Sequence, residues 1–549
     1  GFKQTKGQFF TPINIVRFIL YALELDELGL RRLNNDKELP YITDPACGSG
    51  TFLIEAMKMI TQEVKYRRRN EVQTNRLVKA KFEELFMPDN HEHRWAREYI
   101  YAIEHNFDLG TATKVNMILH GDGSTNTFVK DGLLPFRFYE KGTAPNHLKI
   151  SQPDDSYDHK EINGQFDVLI SNPPFSVNLD NETKRHLKNA FLFHNKRNSE
   201  NLFLERYYQL LREGGRFGVV LPESVFDTTE NKYMRLFLYK YFWIRAVVSI
   251  PQLAFQPYTS TKTSLLFAQK KTKGEVKKWN ELWSKYSNEY QKLKTRAENY
   301  TKVYLKGEEK KKFPSIKDDT DKNIRDNVSR FLKRSLSKED SSISIKDLLH
   351  KHNDELTALC NIDSDTKDIF GFVNTSWVFG EIAKEISYPI FIAEAENIGY
   401  KRSKRGEKTQ PNELFDLEIA PSKIDVQKVA KQYEQELTDL SAKKASLEDE
   451  LKKNEKNDKK KVQILARIKN LERQIAEVQQ QSARVSAALK KYYDRTGNLL
   501  DKYVTRLDAE LLGVFQLQRM DAYRSNYVLV RHSDHRTILD FLRKAQAWQ

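Results

Sequence analysis

The stretch YITDPACGSGTFLIEAM, from Tyr41 to Met57, constrains the fold more than any other part of the chain. An apolar run of strand length ends at Asp44, a loop with Gly48 and Gly50 turns tightly, and an amphipathic run begins near Thr51. This is the pattern of the first βα turn of a nucleotide-binding sheet. Glycines at such a turn let backbone N–H groups approach a ligand closely, and Asp44 at the strand end can meet a positively charged amino group. The spacing is neither GxGxxG nor GxxxxGK[ST]. A nucleoside-containing cofactor without a pyrophosphate therefore fits better than NAD or ATP.

The segments on either side continue the same layout. YIYAIEHNFDLGTATKVNMILHGDG predicts a second strand ending at Glu104 and a helix from about Asp108 to Leu119. An acidic residue ending the second strand of such a sheet is the usual acceptor for ribose hydroxyls. Asp122, in the turn after the helix, could reach an adenine amino group; a solvated Glu and an ordinary turn Asp are the alternatives. FDVLIS, Phe166 to Ser171, then reads as a buried strand that must end at NPPF, because Pro173 and Pro174 cannot continue its ladder. Asn172 and the carbonyl of Pro173 offer two acceptors with no competing proline N–H, which suits an amino group with two protons, and Phe175 offers a flat face for a planar ring. Taken alone, Asn-Pro-Pro reads more readily as a turn closing a strand, and the upstream stretches reverse that balance. Upstream, GQFFTP precedes a helical pattern, with Thr11 as expected N-cap and Pro12 at the first helical position, so its loop could cover a ligand lying across the sheet edge.

Downstream, ENLFLERYYQLLREGGRFGVVLP predicts a helix stopped at Gly214 and Gly215, then a strand ending at Pro222. WIRAVVSIP and TSLLFAQ are two more strands that could pair through LAFQPYTSTK. Phe255 and Tyr258 in that loop could either anchor it to the core or close one side of a base pocket. Past Lys270 the composition turns to Lys, Glu, Asp and Ser. Residues 272–342 are expected to be a polar insertion or connector and 343–425 a mixed accessory region, whose KRSKRGEK piece could contact phosphates. Over 426–495, Val426, Val429, Tyr433, Leu437, Leu440, Leu447 and Leu451, then Val462, Leu465, Ile468, Leu471, Ile475, Val478, Val485, Leu489 and Tyr492, recur at helical steps around a polar KKNEKNDKKK. The pattern predicts an antiparallel coiled-coil hairpin about 40 Å long, either a stiffener or a partner-docking arm. Residues 496–549 hold a strand-like YVLVRHS and an amphipathic ILDFLRKAQAWQ of unassigned role.

Composition narrows the partners. The 549 residues carry a formal net charge of +15, which points to a polyanion and first of all to nucleic acid. Cys47 and Cys360 are the two cysteines. They cannot make a disulfide framework and form no zinc pattern, so no metal is expected and a reducing cytoplasm fits. No apolar run is long enough to span a membrane and no leader pattern opens the sequence. The sequence starts at Gly1, immediately before a motif, so residues upstream are expected.

GQFFTP, DPACGSGT, Glu104, Asp122 and NPPF occur in the order seen in adenine-type amino-methylating DNA methyltransferases, and the chain closely resembles the modification subunits of type I restriction-modification systems. The resemblance covers residues 1–271 densely and the PNELF region more faintly. It implies a class I S-adenosylmethionine-dependent methyltransferase, a Rossmann-like α/β domain over 1–271. In the family, Gln8, Phe9, Phe10, Thr11 and Pro12 and the turn with Asp44, Ala46, Gly48, Ser49, Gly50 and Thr51 bind S-adenosylmethionine. Glu104 would hold its ribose and Asp122 lie near its adenine. Asn172 and Pro173 would accept hydrogen bonds from the target adenine N6, with Pro174 shaping the turn and Phe175 stacking on the flipped base. Implied partners are double-stranded DNA, a DNA-specificity subunit and a restriction subunit. Two rivals share these residues: a protein glutamine-N5 methyltransferase, since a primary amide presents the same two-proton nitrogen, and a DNA-binding scaffold without turnover.

Overall fold

The computed structural model of the chain describes residues 10–86, 93–121, 126–142, 147–152, 157–175, 177, 179, 181–196, 198–364, 366–403, 406–419, 426–454, 458–493, 527–530, 535–545 and 548. Two compact units divide it, one of residues 1–414 with 535–549 and one of residues 415–534.

The first unit is built on β1 (Ile42–Asp44), β2 (Ile100–Glu104), β3 (Thr127–Val129), β4 (Phe166–Ser171), β5 (Leu211–Pro222), β6 (Phe242–Ser249), β7 (Thr263–Lys270) and β8 (Phe391–Glu394). They form one sheet in the order β3-β2-β1-β4-β5-β7-β6-β8. All neighbours run parallel except β7, which is antiparallel to β5 and β6. This is the class I methyltransferase sheet, extended by β8. The inner strands are apolar throughout because both faces are covered: every residue of β2 and of β4 is buried. On one face Tyr101, Phe166, Phe217 and Val219 pack with Leu202, Phe203 and Tyr207 of the helix Ser199–Leu210. On the other, Phe18 of the helix Ile13–Ala22 meets Phe267 of β7 edge to face, with centroids 6.0 Å apart. The strand order reverses between β1 and β4, so their carboxyl ends flank the crevice where ligands bind in such sheets.

Three expectations shift here. The helix before β5 stops at Leu210, and Gly214 and Gly215 lie inside the strand. The helix at the start begins at Ile13, with Pro12 extended as its N-cap and no side-chain cap, so Thr11 does not cap it. Residues 272–342 are not a polar connector. The helix Lys273–Tyr300, started by a Thr272–Glu275 capping box, buries Trp279, Tyr286, Tyr290, Leu293, Ala297 and Tyr300 along one side. They share a core with Ile324, Val328 and Phe331 of the helix Asp321–Leu332 and with Trp377, Val378 and Ile382 of the helix Thr375–Glu385. Lys and Glu on the solvent side dilute the composition while an aromatic stripe does the packing. The supposed connector and part of the accessory region are therefore one helical layer.

After β8, β9 (Ile398–Ser403) and β10 (Gly406–Asn412) form an antiparallel ribbon. The helix Ile538–Ala545 belongs to the same unit, where Arg543 bonds the Asp26 carboxylate at 2.7 Å and Trp548 donates to the Ala22 carbonyl at 3.1 Å.

In the second unit, β11 (Asp416–Ile419) pairs antiparallel with β12 (Tyr527–Val530). Its helices Val426–Lys453 and Asp458–Tyr492 run side by side, bridged by Lys444 and Glu472 at 2.8 Å. The half-buried side of the first carries Tyr433, Leu437, Leu440, Lys444, Leu447 and Leu451. On the second, Ile464, Ile468, Val478, Val485 and Leu489 are buried, whereas Val462 is 67% and Leu465 45% exposed. The seam thus enters one turn differently from the predicted one, at Ile464. Among the described residues no helix is long and apolar enough to cross a membrane.

Candidate active site

The site is assembled at the carboxyl ends of β1, β2 and β4. Asp44 ends β1 fully buried, and its Oδ1 accepts from the Ala46 N–H at 2.9 Å and the Ser171 hydroxyl at 2.7 Å. Its Oδ2 is buried without a hydrogen-bond partner. Burial pushes this carboxyl up to about 7; the nearby Glu104 adds to the rise, and the Ala46 and Ser171 hydrogen bonds oppose it.

Glu104 ends β2, also buried, and reaches across to the glycine loop. Its Oε2 accepts from the Gly48 N–H at 2.9 Å and its Oε1 from the Asn106 N–H at 2.8 Å. The loop itself needs its glycines: Gly48 and Gly50 have φ of +57° and +80°. A Cβ at Gly50 would stand 2.8 Å from Thr113 Cγ2, whereas one at Gly48 would meet nothing within 4 Å and is barred by φ alone. Open space at Gly48, a buried acceptor at Asp44 and a second carboxylate beside them suit a cationic, hydroxyl-bearing ligand. Among the described residues no cluster of metal-binding side chains occurs.

β4 delivers NPPF to the next position along the edge. Asn172 is half-buried and its Nδ2 donates to Thr11 Oγ1 at 3.0 Å. The hydroxyl expected to cap a helix instead orients the Asn172 amide. Pro173 is buried, and the Pro174 carbonyl accepts from Ser199 Oγ at 3.0 Å. Phe175 is only 6% exposed, so its ring is largely covered in this structure. Of the two aromatics in the loop between β6 and β7, Phe255 is 1% exposed and serves the core. Tyr258 is 41% exposed and packs edge to face with the exposed Phe10, centroids 6.4 Å apart. Phe10, Thr11 and Pro12 thus lie against this edge, Ala46, Ser49 and Thr51 belong to the turn, and Gln8, Phe9 and Asp122 lie outside the described residues.

Several supporting residues were not singled out from sequence. Thr113 donates to the Gly48 carbonyl at 2.7 Å and Asn116 to the Ser49 carbonyl at 3.3 Å. Both lie on the helix Phe107–Leu119 at a spacing of three, a detectable signal once that helix is aimed at the loop. Gly132 lets the chain after β3 press on the turn, since a Cβ there would lie 2.1 Å from the Pro45 carbonyl. Nothing local in sequence marks that contact.

The ionisation of Asp44 gives a prediction. Its folded carboxyl holds a proton up to about pH 7, while an unfolded one ionises near 3.8. A ligand whose positive group meets Oδ2 binds the carboxylate, so affinity for a cationic ligand is expected to rise with pH, level off above 7, and fall by up to about tenfold per unit below it. The ligand-free fold runs the opposite way, losing stability as pH rises from 3.8 towards 7. Titrating the affinity of S-adenosylmethionine by calorimetry between pH 5.5 and 8.5 checks this; a flat profile removes Asp44 from contact with the positive group.

The sequence profile of the family described as N-6 DNA Methylase matches residues 2–334. The methylase subunit of the type I restriction enzyme EcoEI of Escherichia coli is 26% identical over 278 residues, 50% of this chain and 44% of that protein. The MjaVII methylase subunit of Methanocaldococcus jannaschii is 24% identical over 302 residues, 53% of this chain and 41% of that protein. Among solved structures, the M protein of the type I restriction enzyme EcoKI is 20% identical with a TM-score of 0.32, covering 50% of this chain and 46% of that one. The chain spans less than half the length of the curated relatives it matches.

Proposed function

The chain belongs to the N-6 DNA methylase family, and from that premise we propose that it moves a methyl group from S-adenosylmethionine to the N6 amino group of a flipped-out adenine in double-stranded DNA, as part of a restriction-modification system. The observation that carries the reading is convergence. Asp44, the Gly48–Gly50 turn, Glu104 and Asn172 come from three strands far apart in sequence and meet at one sheet edge, with Thr11 bonded to Asn172.

In this reading Asp44, Glu104 and the glycine turn, with the segment from Gln8 to Pro12 and Asp122, hold the cofactor. S-adenosylmethionine, when bound, supplies an electrophilic methyl group. The protein's task is to present the amine. Adenine N6 is a poor nucleophile because its lone pair is delocalised into the ring. The Asn172 oxygen and Pro173 carbonyl would accept hydrogen bonds from its two N–H groups and draw the nitrogen towards tetrahedral geometry, which frees the lone pair for the methyl carbon. The carbon–sulfur bond breaks as the nitrogen–carbon bond forms, the thioether S-adenosylhomocysteine leaves, and one N–H proton passes to solvent. Orientation then contributes most of the rate. Flipping costs a few kcal/mol, offset by stacking. Phe175 is the expected stacking ring and must be uncovered to act, whereas Tyr258 already stands exposed beside Phe10 and is the better candidate for the opposite wall. The reading is tested by incubating the protein with S-adenosylmethionine and duplex DNA, digesting the DNA to nucleosides and measuring N6-methyladenine by mass spectrometry.

The paired helices of the second unit are, in this reading, the arm that docks a DNA-specificity subunit. The seam joins the helices to each other, and their outer sides carry dense Lys, Glu and Gln that suit a helical partner. Replacing residues 426–493 with a short Gly/Ser linker is expected to leave cofactor affinity intact while abolishing co-purification with the partner and site-specific methylation. Methylation of the same sites at the same rate would make the pair a stiffener only.

A further inference from the structure

β1 and β4 lie side by side and parallel, with Ile42 opposite Val168 and Thr43 opposite Leu169. The two strands therefore end together at the sheet edge, and one side-chain bond joins their last residues. The Ser171 hydroxyl donates to Asp44 Oδ1 at 2.7 Å, with both residues fully buried. Oδ1 also accepts from the Ala46 N–H at 2.9 Å, whereas Oδ2 is buried with no hydrogen-bond partner among the described residues. The bond thus leaves one defined oxygen of the carboxylate for a ligand. Ser171 is also the residue immediately before Asn172, whose amide donates to Thr11 at 3.0 Å. A single run of contacts leads from the turn after β1, through Asp44 and Ser171, to the NPPF turn.

A buried carboxylate needs donors. The titratable groups that face Asp44 are Glu104 at the end of β2, Cys47 in the turn and Tyr207 on the helix Ser199–Leu210. Burial disfavours the charged form of Asp44, and Glu104 adds to that. Cys47 and Tyr207, themselves pushed up by burial, stay neutral and supply no cation. What favours the charged form is the pair of donors, the Ala46 N–H and the Ser171 hydroxyl. The first is backbone and is set by the turn, so Ser171 is the side chain on which the state of Asp44 depends.

We propose that Ser171 is a positioning residue for methyl transfer: its hydroxyl holds the Asp44 carboxylate with Oδ2 free for the cofactor's positive group and, through the same bond, keeps the NPPF turn in register with the cofactor. The proposal rests on the reading of Asp44 as a cofactor contact and of Asn172 as an acceptor for the amine. Two consequences set it apart from ordinary packing. Without the hydroxyl, Asp44 loses a donor to its charged form and keeps its proton to higher pH. Affinity for a cationic ligand, which needs the carboxylate, is then regained only at higher pH. The NPPF turn also loses its tie to the cofactor side, so transfer slows even when cofactor is saturating.

The test is a calorimetric titration of S-adenosylmethionine between about pH 5.5 and 9.5, with the full chain and its Ser171→Ala and Ser171→Cys variants. Single-turnover transfer to duplex DNA is measured alongside, at the alkaline end and at saturating cofactor. Ser171→Ala should move the midpoint of the affinity profile up by about one to two pH units, as one lost hydrogen bond to a charged group implies, with the affinities converging at the alkaline end. Ser171→Cys, close in size and a weaker donor, should move it the same way by less, and carries the test if the alanine variant does not fold. Transfer at saturating cofactor should fall by about 10- to 100-fold in Ser171→Ala. A folded variant with an unmoved midpoint, an affinity lowered equally at every pH, or an unchanged transfer rate overturns the proposal; N6-methyladenine from the unaltered chain would then leave the reaction standing. A moved midpoint in a chain that forms no N6-methyladenine supports Ser171 as the partner of Asp44 and removes the reaction instead.

Discussion

Replacing Asn172 with alanine is expected to lower the rate of methyl transfer by at least about 10²- to 10³-fold, while S-adenosylmethionine affinity stays within a few-fold of the original. The asymmetry follows from position. Asn172 follows β4, one strand over from the glycine turn, and its amide Nδ2 donates to Thr11 Oγ1. A group that matters only once the amine is being drawn out of planarity should appear in kcat and not in cofactor binding. Thr11→Val gives a companion measurement. It keeps the shape of the side chain and removes the oxygen that orients Asn172, so it should lower kcat by a smaller factor, and because Thr11 also belongs to the segment proposed to hold the cofactor, S-adenosylmethionine affinity should fall with it. Loss of cofactor binding in a folded Asn172→Ala protein would remove the residue from the amine site.

Glu104→Ala should act on the cofactor instead, and strongly. Both carboxylate oxygens hold backbone N–H groups, one in the glycine turn and one at the start of the following helix. Removing them loosens the turn and deletes the acceptor proposed for ribose hydroxyls, and buried partners left unsatisfied typically cost about 1–3 kcal/mol. An affinity loss of about ten- to a hundredfold for S-adenosylmethionine is therefore expected by calorimetry. Glu104→Gln separates the two effects: it keeps the size and one acceptor oxygen, and should lose less stability than affinity. Unchanged cofactor affinity in the alanine protein would take Glu104 out of the site.

Much of the first unit was legible because its elements state their own limits. β1 ends at Asp44, β2 at Glu104 and β4 at Ser171 as read, since an apolar run meets an acid, a glycine turn or a proline pair in each case. Their meeting at one edge follows from strand order. What the sequence did not disclose depends on distance. Thr11 resembles a helix cap until the fold brings Asn172 within 3.0 Å of it. Ser171 looks like the last residue of a strand until it donates to Asp44. Phe255 and Tyr258, three residues apart, could not be told apart by type, and only packing sends one inward and leaves the other out. The aromatic stripe from Trp279 to Tyr300 was hidden by the lysines and glutamates between its members. Likewise Ile464 and Val462 are equally apolar, and which one enters the helix seam depends on the partner helix.

We propose that this sheet edge presents an adenine amine to a bound S-adenosylmethionine. The most direct test uses S-adenosylmethionine carrying a labelled methyl group, incubated in parallel with duplex DNA and with a protein extract, using the unaltered chain and Asn172→Ala. Label is expected in DNA from the unaltered chain, recovered on digestion as N6-methyladenine and reduced by at least about 10²-fold with the Asn172→Ala protein. Label recovered as N5-methylglutamine in protein, or no transfer to any acceptor despite cofactor binding, would contradict it.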